Sequence, residues 1–196
     1  MHGSGARIEL GVTTAPTWLA AVLDDFDAFL VDHAAAERKA SAVAVSLITH
    51  YPDRAELVRA MMDLAREELE HFYQVYRRIE ARGLTLGADA KDEYVRALRG
   101  AVRRGRDAYF LDRLIVSAIV EARGCERFGL LAEGLSEPDL AGFYRAIAES
   151  EARHDAVFVR LARTYFPADV VAARTRELVA VEAEIVRNLP VRAGLH

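Results

Sequence analysis

Two short patterns in this 196-residue chain place chemically able groups side by side: Glu68-Leu-Glu-His71 and Glu151-Ala-Arg-His154. Both read Glu-x-x-His. Positions i and i+3 of a helix are neighbours, so each pattern lets a carboxylate and an imidazole address one point. A lone pattern of this kind in a helix-rich chain is usually a solvated surface pair. Here each is preceded by another glutamate at nearly the same interval: Glu37 lies 31 residues before Glu68, and Glu121 lies 30 before Glu151. Corresponding residues of the two sets are offset by 84, 83 and 83. The chain reads as two similar halves, each offering two glutamates and one histidine.

The elements that must carry these groups are helices with apolar stripes. The first stripe is Phe26, Leu30, His33, Glu37, Ala40, Ala44 and Leu47; the second is Leu57, Met61, Leu64, Glu68, His71, Val75 and Ile79. The third runs Leu111, Leu114, Ala118, Glu121, Cys125, Phe128, Ala132, and the fourth Leu140, Phe143, Ile147, Glu151, His154, Phe158, Leu161. Steps of three and four hold each set on one helix face. Each stripe is interrupted near its middle by a glutamate. A buried carboxylate costs several kcal/mol unless it is paired or metal-bound. Four in one core repel, and a pair of divalent cations is the economical way to hold them. Four Glu and two His from four helices is the ligand set of the di-iron carboxylate bundles. The candidate metal ligands are therefore Glu37, Glu68, His71, Glu121, Glu151 and His154.

Neighbouring groups compete for these roles. Glu67 and Glu70 fall off the second stripe and read as surface charge. Glu126 competes with Glu121, because the third helix is apolar nearly all round, and Glu121 is preferred on the interval between halves. His33 lies one turn before Glu37 and has no counterpart in the other half. It reads as a core histidine or one that supports a ligand, and whether His33 or Glu126 touches the metal stays open at this level.

Punctuation sets the helix limits. The first helix is expected from Pro16 to Thr49, closed by Tyr51-Pro52. Asp53, three residues before Glu56, reads as a capping box opening a second helix that stops at Gly83. A short helix near Asp92–Arg99 follows, then one from Asp107 to Glu133. Ser136, with Pro138 just inside, opens another to Tyr165, and a last helix covers Ala168–Asn188. No segment alternates with period two between turns, so no sheet is expected. The predicted fold is all-α: a ferritin-like four-helix bundle with additional helices over residues 16–190, preceded by an extension at 1–15 and followed by a tail at 191–196.

Composition excludes several classes. A 52% hydrophobic content argues against a disordered chain, and only 12 Gly and 5 Pro agree with long helices. One cysteine, Cys125, excludes an internal disulfide and a CxxC metal module and fits a reducing compartment. The longest uncharged apolar run, Ala40–Ile48, is too short for a bilayer, and Met1–Leu10 lacks a signal-peptide core. A cytoplasmic protein without membrane association is expected. With a net charge of −4, nucleic acid can be met only through a local basic patch.

Several stretches resemble a known family. Asp112-Arg113-Leu114-Ile115 through Ile119-Val120-Glu121-Ala122-Arg123-Gly124-Cys125-Glu126-Arg127-Phe128 is similar to the corresponding stretch of the tRNA hydroxylases called MiaE. So are Glu37-Arg38-Lys39-Ala40, Arg66-Glu67-Glu68-Leu69-Glu70-His71-Phe72 and Glu149-Ser150-Glu151-Ala152-Arg153-His154. Val120 stands where the family pattern has Ile. The resemblance covers roughly residues 16 to 190. It implies an O2-dependent di-iron monooxygenase that hydroxylates the isopentenyl tail of 2-methylthio-N6-isopentenyladenosine beside the tRNA anticodon. It further implies two iron ions held by the six residues above, two electrons from an external electron-transfer protein or reductase, and a tRNA anticodon stem–loop as partner.

A tRNA substrate needs phosphate contacts. Arg96, Arg99, Arg103, Arg104 and Arg106 follow one another with no acidic residue between them. Arg103, Arg104 and Arg106 are the candidate backbone contacts, since Arg forks match phosphate and stack on unpaired bases. Small residues near the site, Gly124, Ala40 and Ala118, either leave room for a prenyl group or simply allow close helix packing. The alternative reading is another ferritin-like di-iron protein: a quinone-type hydroxylase, or a ferroxidase or peroxide-handling protein. A quinone-type enzyme calls for an exposed apolar face, and the last helix instead shows Arg174, Arg176, Glu177, Glu182, Glu184 and Arg187.

Overall fold

In the computed structural model, residues 7–88 and 91–196 are described, and every regular element among them is a helix. These are α1 (Pro16–Asp24), α2 (Phe26–His50), α3 (Ala55–Ala81), α4 (Glu93–Gly100), α5 (Arg106–Gly134), α6 (Pro138–Tyr165) and α7 (Ala168–Asn188). The chain divides into two compact units. One is built on the α2–α3 hairpin with the segment Val191–Leu195; the other holds α4 to α7 and the N-terminal segment.

In the first unit the sequence stripe of α3 is realised in full. Leu57, Met61, Leu64, Glu68, His71, Val75 and Ile79 are its buried residues. On α2 the buried set is Phe29, Leu30, His33, Ala34, Glu37, Ala44 and Leu47, while Phe26 and Ala40 of the expected stripe are half-buried. The expected single helix from Pro16 to Thr49 is in fact two. It breaks at Asp25, whose side chain accepts a hydrogen bond from Ala28 N (3.1 Å) and caps α2. The capping box at Asp53 does not form: the N-cap of α3 is Arg54, without a side-chain cap bond. At the other end of α3, Gly83 adopts φ 70°. Gly83 N–H bonds Glu80 O (2.9 Å) and Leu84 N–H bonds Ile79 O (3.0 Å), the paired bonds of a left-handed helix stop.

In the second unit α5 packs along α6, and α7 lies against both of them and α4. Helix α5 is buried on most of its circumference, as its near-continuous apolar sequence requires. Its start is set by Gly105 at φ 100°, a conformation open to glycine at little cost. Pro138 occupies the first turn of α6, and Glu137 rather than Ser136 is the N-cap residue. The segment from Arg7 to Thr14 is tied down on this unit. Thr14 N–H and its hydroxyl both donate to Glu126 (2.8 and 2.6 Å), and Arg123 donates to Val12 O (3.0 Å).

Candidate metal centre

Within the α2–α3 hairpin, ligand atoms of Glu37, Glu68 and His71 lie within 4.8 Å of one another. His71 Nδ1 is 3.5 Å from Glu37 Oε2 and 3.6 Å from Glu68 Oε2. His33 Nε2 lies 2.6 Å from Glu37 Oε1. A carboxylate only accepts, so the imidazole N–H donates and fixes the orientation of Glu37. Glu67 and Glu70 are exposed, as the stripe predicts.

Within the α5–α6 pair, ligand atoms of Glu121, Glu151 and His154 also lie within 4.8 Å of one another. His154 Nδ1 is 3.3 Å from Glu151 Oε2. All six residues are buried, from 0% exposure at Glu68 to 9% at Glu121. Each half thus gathers its own two carboxylates and imidazole, as the spacing predicts. Glu126 turns the other way. It accepts from Thr14 and pairs with Arg123, so its carboxylate belongs to the anchorage of the N-terminal segment.

The donor chemistry fits iron. Carboxylates are hard oxygen donors that favour the higher oxidation state, and imidazole suits iron as well. Metal-bound histidines and carboxylates are commonly oriented by a further hydrogen bond, the relation that His33 has to Glu37.

Sequence reasoning missed the groups that hold the second half in place. Asp155, next to His154, is fully buried, and Arg7 Nε donates to its Oδ2 (3.2 Å). Burial pushes the Asp155 carboxyl up, against the opposing charge of Arg7. Arg123, also fully buried, donates through Nε and Nη2 to both oxygens of Glu182 (2.8 and 3.0 Å), and Tyr94 donates to Glu182 as well (3.0 Å). Burial and the neighbouring Glu182 charge raise the Tyr94 hydroxyl well above its ordinary value. Glu182 is therefore an interior ion-pair partner, not part of a solvated charged face on α7. These partners are separated by 59 to 148 residues, and no local spacing announces them.

The basic segment is only partly available. Arg103 donates from its backbone and guanidinium to the buried Asp112, whose other partner is Arg174 (2.7 Å). Burial works to raise the Asp112 carboxyl, but these two arginines hold it below its usual value. Arg96 pairs with Glu93 (3.1 Å). Arg104 and Arg106 are exposed.

Residues 7–196 match the family model described as "tRNA-(MS[2]IO[6]A)-hydroxylase (MiaE)". The chain belongs to the MiaE family. A Pseudomonas putida protein named tRNA 2-(methylsulfanyl)-N(6)-isopentenyladenosine(37) hydroxylase is 40% identical over 181 residues, covering 91% of this chain and 87% of that protein. A Salmonella typhimurium protein of the same name is 37% identical over 138 residues, covering 70% of this chain; the match spans half of that longer protein. Among solved structures, "Protein 43 with aldehyde deformylating oxygenase activity from Synechococcus" aligns with a TM-score of 0.91 and 33% identity, over 95% of this chain and 94% of that one. The fold class is all-α and ferritin-like, as the stripes predict. MiaE membership favours tRNA hydroxylation over the quinone-type and ferroxidase alternatives. Among the described residues no helix is long and apolar enough to cross a membrane.

Proposed function

We propose that this chain is the O2-dependent monooxygenase that hydroxylates the isopentenyl group of 2-methylthio-N6-isopentenyladenosine beside the tRNA anticodon. The observation that carries this reading is the MiaE match over residues 7–196, joined to two hairpins that each gather two carboxylates and an imidazole. Glu37, Glu68 and His71 from one half, with Glu121, Glu151 and His154 from the other, would hold two iron ions. Residues 16–190 act as one di-iron domain, in the cytoplasm, and an electron-transfer protein or reductase supplies the electrons.

A bound iron pair would supply the oxidising power to replace a C–H bond of the tail by C–OH. One atom of O2 enters the product and the other leaves as water, with two electrons and two protons consumed. The chain's own residues do the rest. Four carboxylates balance the cationic charge, and burial keeps water from the reacting tail. His33, through its N–H to Glu37, fixes one carboxylate and withdraws some of its charge. Arg104 and Arg106 contact the RNA backbone, whereas Arg103 serves mainly to neutralise Asp112.

The test is direct. Reduced, iron-loaded protein is exposed to isotopically labelled O2 and prenylated tRNA, and the nucleosides are analysed by mass spectrometry. The expected product carries one labelled oxygen on its prenyl tail. A tail that gains no oxygen, or gains it from water, overturns the reading.

A further inference from the structure

Two stretches far apart in the chain contain no acidic residue: 94–106, which holds Arg104 and Arg106, and 156–168, which holds Arg160 and Arg163. Helix packing brings them together. Phe110, one turn after Arg106, sets its ring centre 5.5 Å from that of Tyr165 and 5.7 Å from that of Phe166, so the start of α5 lies beside the end of α6. Arg104, Arg106, Arg160 and Arg163 are all exposed, and among the described residues none of them has an acidic partner. Arg103 is not counted with them, since Asp112 holds it. Two exposed carboxylates share this end, Asp107 and Asp169, in the first turns of α5 and α7. There they answer the positive helix starts. The four guanidinium groups still leave an excess of positive charge, in a chain of net charge −4.

Helix stability does not account for the arrangement on α6. One cation in the last turn, Arg163, complements the negative helix end. Arg160 lies a turn earlier, and like charges three residues apart on a helix repel. The exposed ring of Tyr109, with the Arg113 guanidinium 5.8 Å from its centre, follows Arg106 by one turn. We propose that this end of the α5–α6 pair is a docking face for the anticodon stem–loop, where Arg160 and Arg163 hold phosphates alongside Arg104 and Arg106, and Tyr109 meets an unpaired base. Guanidinium forks match phosphate geometry, and RNA loops splay out bases that stack on aromatic rings. Arg160 follows His154 by six residues, about 9 Å along the helix, so a backbone held there stays near the proposed ligands. The inference rests on the tRNA reading above and extends its contacts to a second helix.

The experiment is a fluorescence-anisotropy titration of the iron-loaded protein with a labelled anticodon stem–loop RNA over a salt series. Arg160→Gln with Arg163→Gln should weaken binding about fivefold and flatten the salt slope by about 1.4, at roughly 0.7 per single-strand phosphate contact. Arg160→Lys with Arg163→Lys should keep most of the slope. Adding Arg104→Gln and Arg106→Gln to the first pair should bring the total flattening to about 2.8, as four contacts on one face require. Tyr109→Leu should weaken binding a few-fold at unchanged slope. The control is Arg145→Gln with Arg187→Gln, a charge-matched change near the start of α6 and in the last turn of α7. It should leave affinity and slope near wild type, and no variant should alter iron content. An Arg160/Arg163 pair indistinguishable from that control would remove the docking face while leaving the hydroxylase reading intact. RNA affinity at the control value, joined to slower reduction of the iron by an acidic electron-transfer protein, would assign the face to that partner and likewise overturn the proposal. A wild-type protein with no affinity for the RNA would overturn both readings.

Discussion

The two halves carry the same three-residue chemistry, two glutamates and a histidine, but are braced differently. In the α5–α6 half, the element bearing Glu121 is fixed by interior ion pairs. Arg123 meets Glu182, Glu126 meets the N-terminal segment, and Asp112 is shared by Arg103 and Arg174. Arg7 reaches Asp155, beside His154. In the α2–α3 half, His33 supports Glu37 through a hydrogen bond, while the ion pairs Asp27–Arg82 and Asp32–Arg192 lie on half-exposed surface. The repeat keeps its Glu and Glu-x-x-His donors while the residues around them diverge. The helix pattern is repeated because both halves carry the same Glu and Glu-x-x-His spacing.

The sharpest way to break the comparison is to remove a carboxylate from each half in turn. Glu68→Ala and Glu151→Ala should each reduce iron to one or fewer per chain by elemental analysis and abolish oxygen-dependent turnover. Glu67→Ala and Glu70→Ala, both surface changes, should leave iron content alone. Iron that stays at two per chain after both ligand changes would refute the donor set. Glu121→Ala should likewise abolish turnover, whereas Glu126→Ala should act mainly by loosening the N-terminal segment.

The bracing of the α5–α6 half is tested by Asp112→Asn. Removing the charge weakens the bonds from Arg103, which is partly exposed, and from Arg174, which keeps Glu177, a loss of about 1–3 kcal/mol. Urea denaturation should show a loss of that order. Since the folded carboxyl lies below its ordinary value of 3.8, its contribution is present above that value and fades as pH falls below it. The wild-type protein should therefore lose stability with acid over that window more steeply than the Asn variant. Equal acid dependence would mean that this cluster does not brace the second half.

The α2–α3 half has a smaller lever. His33→Ala should weaken iron affinity or turnover by about 10–100-fold, the usual cost of removing a hydrogen-bonding support for a ligand. Iron content at saturating metal should persist, which separates support from ligation. The smallest expected effect belongs to the basic segment. Arg104→Gln with Arg106→Gln should lower tRNA affinity a few-fold and reduce the salt slope by about 1.4. Turnover on a short prenylated nucleoside, where accepted, should fall less.

How much of this was legible in the sequence follows from range. The α3 stripe matches its buried face residue for residue, because period and burial are both local consequences of one helix. The repeat interval prefers Glu121 over Glu126, and in the structure the Glu126 carboxylate accepts from Thr14. The break at Asp25 was hidden because two adjacent helices with a one-residue cap keep nearly continuous helical composition. Asp53 looked like a cap, yet the chain enters α3 one residue later through Arg54. Glu182 and Arg174 read as surface charge on α7, because their partners Arg123 and Asp112 lie 59 and 62 residues away.

The central claim is that the two halves jointly hold one pair of irons. Mössbauer and magnetic measurements on the chain reconstituted with enriched iron test it most directly. Two irons per chain, magnetically coupled in the oxidised state, are expected, with coupling lost in both Glu68→Ala and Glu151→Ala. One iron per chain, or two uncoupled irons lost independently by the two variants, would contradict it.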